Sequence, residues 1–72
     1  MPEGEIIDYD PEEQHGLIEP EDESDPLPFT LDEVEDYHVG ERIGIGQRVT
    51  FEVDEDDWLA YNVQRIGPIG YA

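Results

Sequence analysis

Gly46-Gln47-Arg48-Val49-Thr50-Phe51-Glu52-Val53 turns into strict alternation after its glycine, putting Val49, Phe51 and Val53 on one face. Four acids follow, Asp54-Glu55-Asp56-Asp57, and then a second apolar-rich run from Trp58 to Ile66. The pair reads as two strands joined by a hairpin loop. Upstream, Glu5-Ile6-Ile7-Asp8-Tyr9 and Gly16-Leu17-Ile18-Glu19 are two further strands, and Leu27 to Leu31 is another, which Pro28 confines to an edge or irregular position. Thr30-Leu31-Asp32-Glu33-Val34 carries the one helical hint, a cap followed by a single turn. Elsewhere Pro and Gly interrupt too often for an amphipathic helix. The pattern predicts an all-β chain: a small five-stranded barrel with one short helical turn near 30–35. Residues 3–66 form one domain and the Gly/Pro-rich stretch 67–72 a frayed tail. The expected core is Ile6, Ile18, Val49, Phe51, Val53, Ala60 and Val63.

Composition narrows the function. Among 72 residues, 21 are Asp or Glu and 3 are Arg (Arg42, Arg48, Arg65), with no Lys, for a net charge of −18. With no Cys there is no disulfide, thiolate metal site or cysteine nucleophile. No run approaches the ~20 apolar residues of a membrane helix. No charged-then-apolar leader opens the sequence either, so a cytoplasmic protein is expected. Leu, Ile, Val and Phe still make up 18 of the 72 residues, enough for a core. Such a charge is compatible with compactness in concentrated salt, where at ~1 M the Debye length shrinks to ~3 Å. Loss of Lys together with evenly spread acid resembles proteins of extreme halophiles.

Four motifs in order resemble the cold-shock domain, a five-stranded OB-type barrel. Gly4-x-Ile6-x-x-Tyr9-Asp10 is similar to that family's opening G-x-V-K-W-F-N. Gly16-Leu17-Ile18-Glu19 resembles the end of its K-G-[FY]-G-F-I box, at the same distance from Gly4. Gly46-Gln47-x-Val49-x-Phe51-x-Val53 follows its G-Q-x-V-x-F stretch, and Ala60-x-Asn62-Val63 its closing A-x-N-V. Ile43 stands three residues before Gly46, where the family usually has Leu. The resemblance spans about residues 3 to 66 and implies weak, low-specificity binding of single-stranded RNA or DNA by base stacking, as in an RNA chaperone. The matches fall on core and turn positions, however. On the binding face Asp8 replaces a Trp, His15 and Leu17 replace two aromatics, and the usual V-F-V-H-F becomes Leu27-Pro28-Phe29-Thr30-Leu31.

The residues left to contact nucleic acid are Tyr9, His15, Leu17, Phe29, Leu31 and Trp58. Counterion release by Lys and Arg normally dominates such binding. Here stacking, at ~1–3 kcal/mol per base, has to replace it. Each ring also has a packing role open to it. Tyr9 and Phe29 fit a core, Tyr9 the more so because its neighbour Asp8 must face water. Trp58 could cap a barrel end, and for His15 and Trp58 both roles stand. The alternative function is a protein-interaction module whose acidic face meets a basic partner, nucleic-acid binding having been lost. Three or more solvent-facing rings on the first three strands favour stacking; a face ruled by Asp8, Thr30 and acids favours the protein partner. No enzyme is expected. The single Ser24 lies in an acidic loop, and neither His15 nor His38 has a nucleophile at a useful spacing. The acid runs Glu19–Asp25 and Asp54–Asp57 lack a calcium-loop pattern, so neither metal nor cofactor is expected. A monomer without membrane contact is expected.

Uncompensated charge makes folding depend on screening. Circular dichroism should show the melting temperature climbing between no added salt and molar KCl. A sharp transition that ignores salt would remove the high-salt argument.

Overall fold

A computed structural model gives the structure of the protein and describes residues 2–35, 37 and 43–67. Five strands, β1 (Glu3–Asp10), β2 (His15–Pro20), β3 (Leu27–Thr30), β4 (Arg48–Asp54) and β5 (Leu59–Arg65), form one antiparallel sheet ordered β3-β2-β1-β4-β5. A single 3-10 turn, Leu31–Glu33, follows β3. The all-β expectation therefore holds, with the helical turn in place. β3 pairs only with β2, the edge position that Pro28 requires. His38, Arg42 and residues 68–72 of the expected tail lie outside the described residues.

The sheet curls until its two edge strands lie side by side. Val34 forms a parallel bridge to Val63, and the Glu35 N–H donates to the Val63 carbonyl at 2.8 Å. β1 is the hinge of this curl: its first residues pair with β4 (Glu3–Thr50, Gly4–Val49, Glu5–Arg48), while its whole length pairs with β2. A bulge between Ile6 and Asp8 lets two adjacent isoleucines share a strand, with Ile6 in the core and Ile7 partly exposed.

The core gathers Ile6, Ile18, Leu27, Phe29, Val34, Val49, Phe51, Ala60 and Val63. Two corrections to the expected set follow. Val53 is only half-buried against this cluster, because it lies one residue before the strand ends at Asp54. Trp58 does not begin β5. It closes the hairpin turn at φ 54°, and β5 starts at Leu59. One polar side chain, Gln47, is buried with the core. Its amide donates to the carbonyls of Arg48 and Ile66, at 3.0 Å each, joining the start of β4 to the chain after β5. On the surface Arg48 bridges Glu3 and Glu21, tying β1 to the loop after β2.

Phe51 is fully enclosed. Phe51→Ala should cost ~3–5 kcal/mol, most or all of the stability of so small a domain. A variant that melts cooperatively within a few degrees of the parent would contradict the β4 register. A second prediction concerns pH. Burial, with smaller contributions from Tyr37 and Asp10, holds the Tyr9 phenol above its ordinary 10.0. The folded chain thus keeps this proton longer than the unfolded chain. The contribution is complete below the unfolded value and is lost as pH rises through the folded one. Melting temperature should hold to about pH 9 and fall above it, and Tyr9→Phe should flatten the fall. Equal slopes in parent and variant would clear Tyr9 of the effect.

Candidate functional site

Cross-strand register sorts the side chains of β1, β2 and β3 into two sets. Ile6, Ile18 and Leu27 stand in one row, and Tyr9, Gly16 and Phe29 in another; these rows face the interior. Between them, Asp8, Leu17 and Pro28 form one outward row, and Asp10, His15 and Thr30 the next. Gly16 is required here. A Cβ at this position would press on the Asp8 carbonyl oxygen and lie 2.9 Å from Cε1 of Phe29. The ring of Phe29 therefore lies under Gly16 and stacks on Tyr9, with centroids 6.2 Å apart at 22°.

This places each candidate residue. Phe29 is 1% exposed and offers no face to a ligand, which corrects its place among the stacking residues. The parity of the strand explains it, since Leu27 and Phe29 share the inward face and Pro28 and Thr30 the outward one. His15 is exposed and Leu17 half-buried, in neighbouring outward rows. Tyr9 and Leu31, both half-buried, meet at the barrel end beside His15. There they line a cavity of about 470 Å³, together with Pro11, Gln14, Tyr37, Ile43 and Ile45. Gln14 joins cavity to face: its carbonyl accepts the Leu31 N–H at 2.9 Å, and its own φ is 59°. Trp58 stands apart. Its indole N–H donates to the Pro26 carbonyl at 3.2 Å, before the start of β3. That is four residues, or roughly 13 Å along an extended strand, from Thr30.

The charge distribution sets this region off. On the outward face of β2 and β3, the residues His15, Leu17, Pro28 and Thr30 include no carboxylate, and among the described residues the cavity lining includes none. Acids flank the strip instead, as Asp8 and Asp10 on β1 and Glu19 on β2. The strand face itself shows one exposed ring, His15, fewer than the three solvent-facing rings that would favour stacking, and the half-buried rings of Tyr9 and Tyr37 line the cavity beside it. Tyr37 and Gln14 carry no periodicity or motif that marks them in the sequence, and only the closure of the barrel brings them here. The acidic loops meanwhile spend carboxylates on their own turns. Asp22 accepts the Ser24 N–H, Asp54 the N–H groups of Asp56 and Asp57, and Asp10 that of Glu12.

No known family profile and no curated protein sequence matches the chain. A solved structure does: a Drosophila Unr chain comprising CSD456 superposes with a TM-score of 0.77 at 24% sequence identity. The match takes in 93% of this chain and 27% of that one, so this chain spans about a quarter of its neighbour's length. The likeness, with the strand order above, makes the fold a small OB-type barrel of the cold-shock kind.

Proposed function

We propose that the protein binds single-stranded RNA or DNA, weakly and with little sequence specificity, in the manner of an RNA chaperone working in concentrated salt. One observation carries this reading: in a chain of net charge −18, His15, Leu17, Pro28 and Thr30 stand together on β2 and β3 with Asp8 and Asp10 only at their β1 border, and among the described residues no carboxylate lines the adjoining Tyr9-Leu31-Tyr37 cavity. Rings and apolar side chains there suit bases, whose faces carry no charge. The cold-shock fold supports the reading by analogy, since that family stacks bases on the corresponding strands. The acids beside the strip, and the engagement of Arg48 with Glu3 and Glu21, leave little to attract phosphate. Affinity then rests on stacking and on hydrogen bonds from groups such as the Gln14 amide. It acts as a monomer, in a salt-rich cytoplasm, without chemical turnover.

This mechanism reverses the ordinary salt dependence. Most single-strand binders lose affinity as salt rises, because counterion release weakens. Here repulsion is the term that salt removes, so affinity for a pyrimidine 12-mer should rise from ~0.1 to ~2 M KCl. Circular dichroism on the same samples separates binding from folding. At ~2 M KCl, His15→Ala should weaken binding by ~1–3 kcal/mol, roughly 5- to 150-fold, without unfolding the barrel. Absence of binding at millimolar oligonucleotide in that salt would overturn the proposal.

A further inference from the structure

A second surface lies at the barrel seam. Between the Trp58–Pro26 hydrogen bond at one end and the Glu35–Val63 hydrogen bond at the other, β3 and β5 run side by side with no ladder pairing among the described residues. The gap is a groove of about 350 Å³. The buried Phe29 and Ala60 lie beneath it, the exposed Leu59 and Tyr61 form one wall, and Glu33 and Asp54 stand on its lining. Trp58, Leu59 and Tyr61 are three of the five large apolar residues exposed among the described residues, at 37%, 40% and 39%. Apolar exposure concentrated on one strand edge marks an interaction surface.

The geometry points to this groove as the seat of an arginine side chain from a basic protein partner. The exposed Leu59 side chain suits an aliphatic stem, and the ring of Tyr61 suits the flat face of a guanidinium. Glu33 and Asp54 supply the carboxylates that a guanidinium fork pairs with. Asp54 is held by the turn through the N–H groups of Asp56 and Asp57, and among the described residues no cation lines the groove to compete. The acid run Glu55-Asp56-Asp57 beside it adds attraction for a cation and repels phosphate. The inference stands apart from nucleic-acid binding, because the groove and the carboxylate-free strip share only Thr30, at their border.

The test is a titration of the full chain with a capped peptide of alternating Gly and Arg, against its Lys counterpart, in about 1 M KCl to screen diffuse attraction. Amide chemical shifts map the contact. The largest shifts are expected at Thr30, Leu59, Ala60 and Tyr61, with the Arg peptide binding about two- to fivefold more tightly than the Lys peptide. Tyr61→Ala should bring Arg down to the Lys level, and Tyr61→Phe should keep the difference. Removing the groove charges in Glu33→Gln/Asp54→Asn should weaken binding, while Glu12→Gln/Glu13→Gln in the β1–β2 turn should not. Equal loss in both double variants, or shifts that follow acids everywhere, would overturn the proposal in favour of diffuse attraction. An oligonucleotide that shifts Leu59, Ala60 and Tyr61, the seam residues outside the strip, would overturn it in favour of a nucleic-acid surface.

Discussion

The arrangement of this barrel depends on the absence of a side chain at Gly16. β2 runs so close to β1 at that point that a methyl group would meet the Asp8 carbonyl, and the vacated space is filled by the ring of Phe29. Once Phe29 lies inward, the pleat assigns every neighbour a side. Pro28 and Thr30 face out, Leu17 and His15 join them from β2, and Tyr9 is left over the ring at the barrel end. The carboxylate-free strip and the cavity beside it are consequences of this one close approach.

The acid is not uniform once folded. Loops absorb part of it by turning carboxylates onto their own backbone N–H groups, as at Asp10, Asp22 and Asp54. Strand ends place more of it beside Arg48. Among the described residues the interior admits none: its one polar side chain there is the neutral amide of Gln47. The result is a dense shell of like charge around an ordinary apolar core, the distribution that concentrated salt tolerates and dilute buffer penalises.

The strands and most of the core were legible because alternation is a local signal. Val49 and Phe51 declare their face within six residues, and the turn chemistry of Asp54–Asp57 declares the hairpin. The same parity is present in Leu27 and Phe29, but likeness to an aromatic binding motif competes with it, so that Phe29 stands among the binding candidates as well as fitting a core. Val53 shows the limit of alternation: it keeps its face but runs out of neighbours to cover it. Trp58 illustrates another limit. A ring in a turn with positive φ has no period to follow, and its partner, the Pro26 carbonyl, is 32 residues away. Tyr37 and Gln14 enter the cavity through barrel closure, which no window of sequence contains.

The Gln47 amide gives the fold a joint of a different kind. Its two hydrogen bonds span from Arg48 to Ile66 and are partly buried, made by a neutral group in surroundings of lower dielectric than the surface. Surface repulsion rises and falls with ionic strength, whereas this joint keeps its strength. It also counts residues: sliding β4 by one position would carry the Gln47 amide away from the Ile66 carbonyl, while its bond to the neighbouring Arg48 carbonyl would travel with it. The amide is thus a register mark between the start of β4 and the chain after β5, set by geometry rather than by charge.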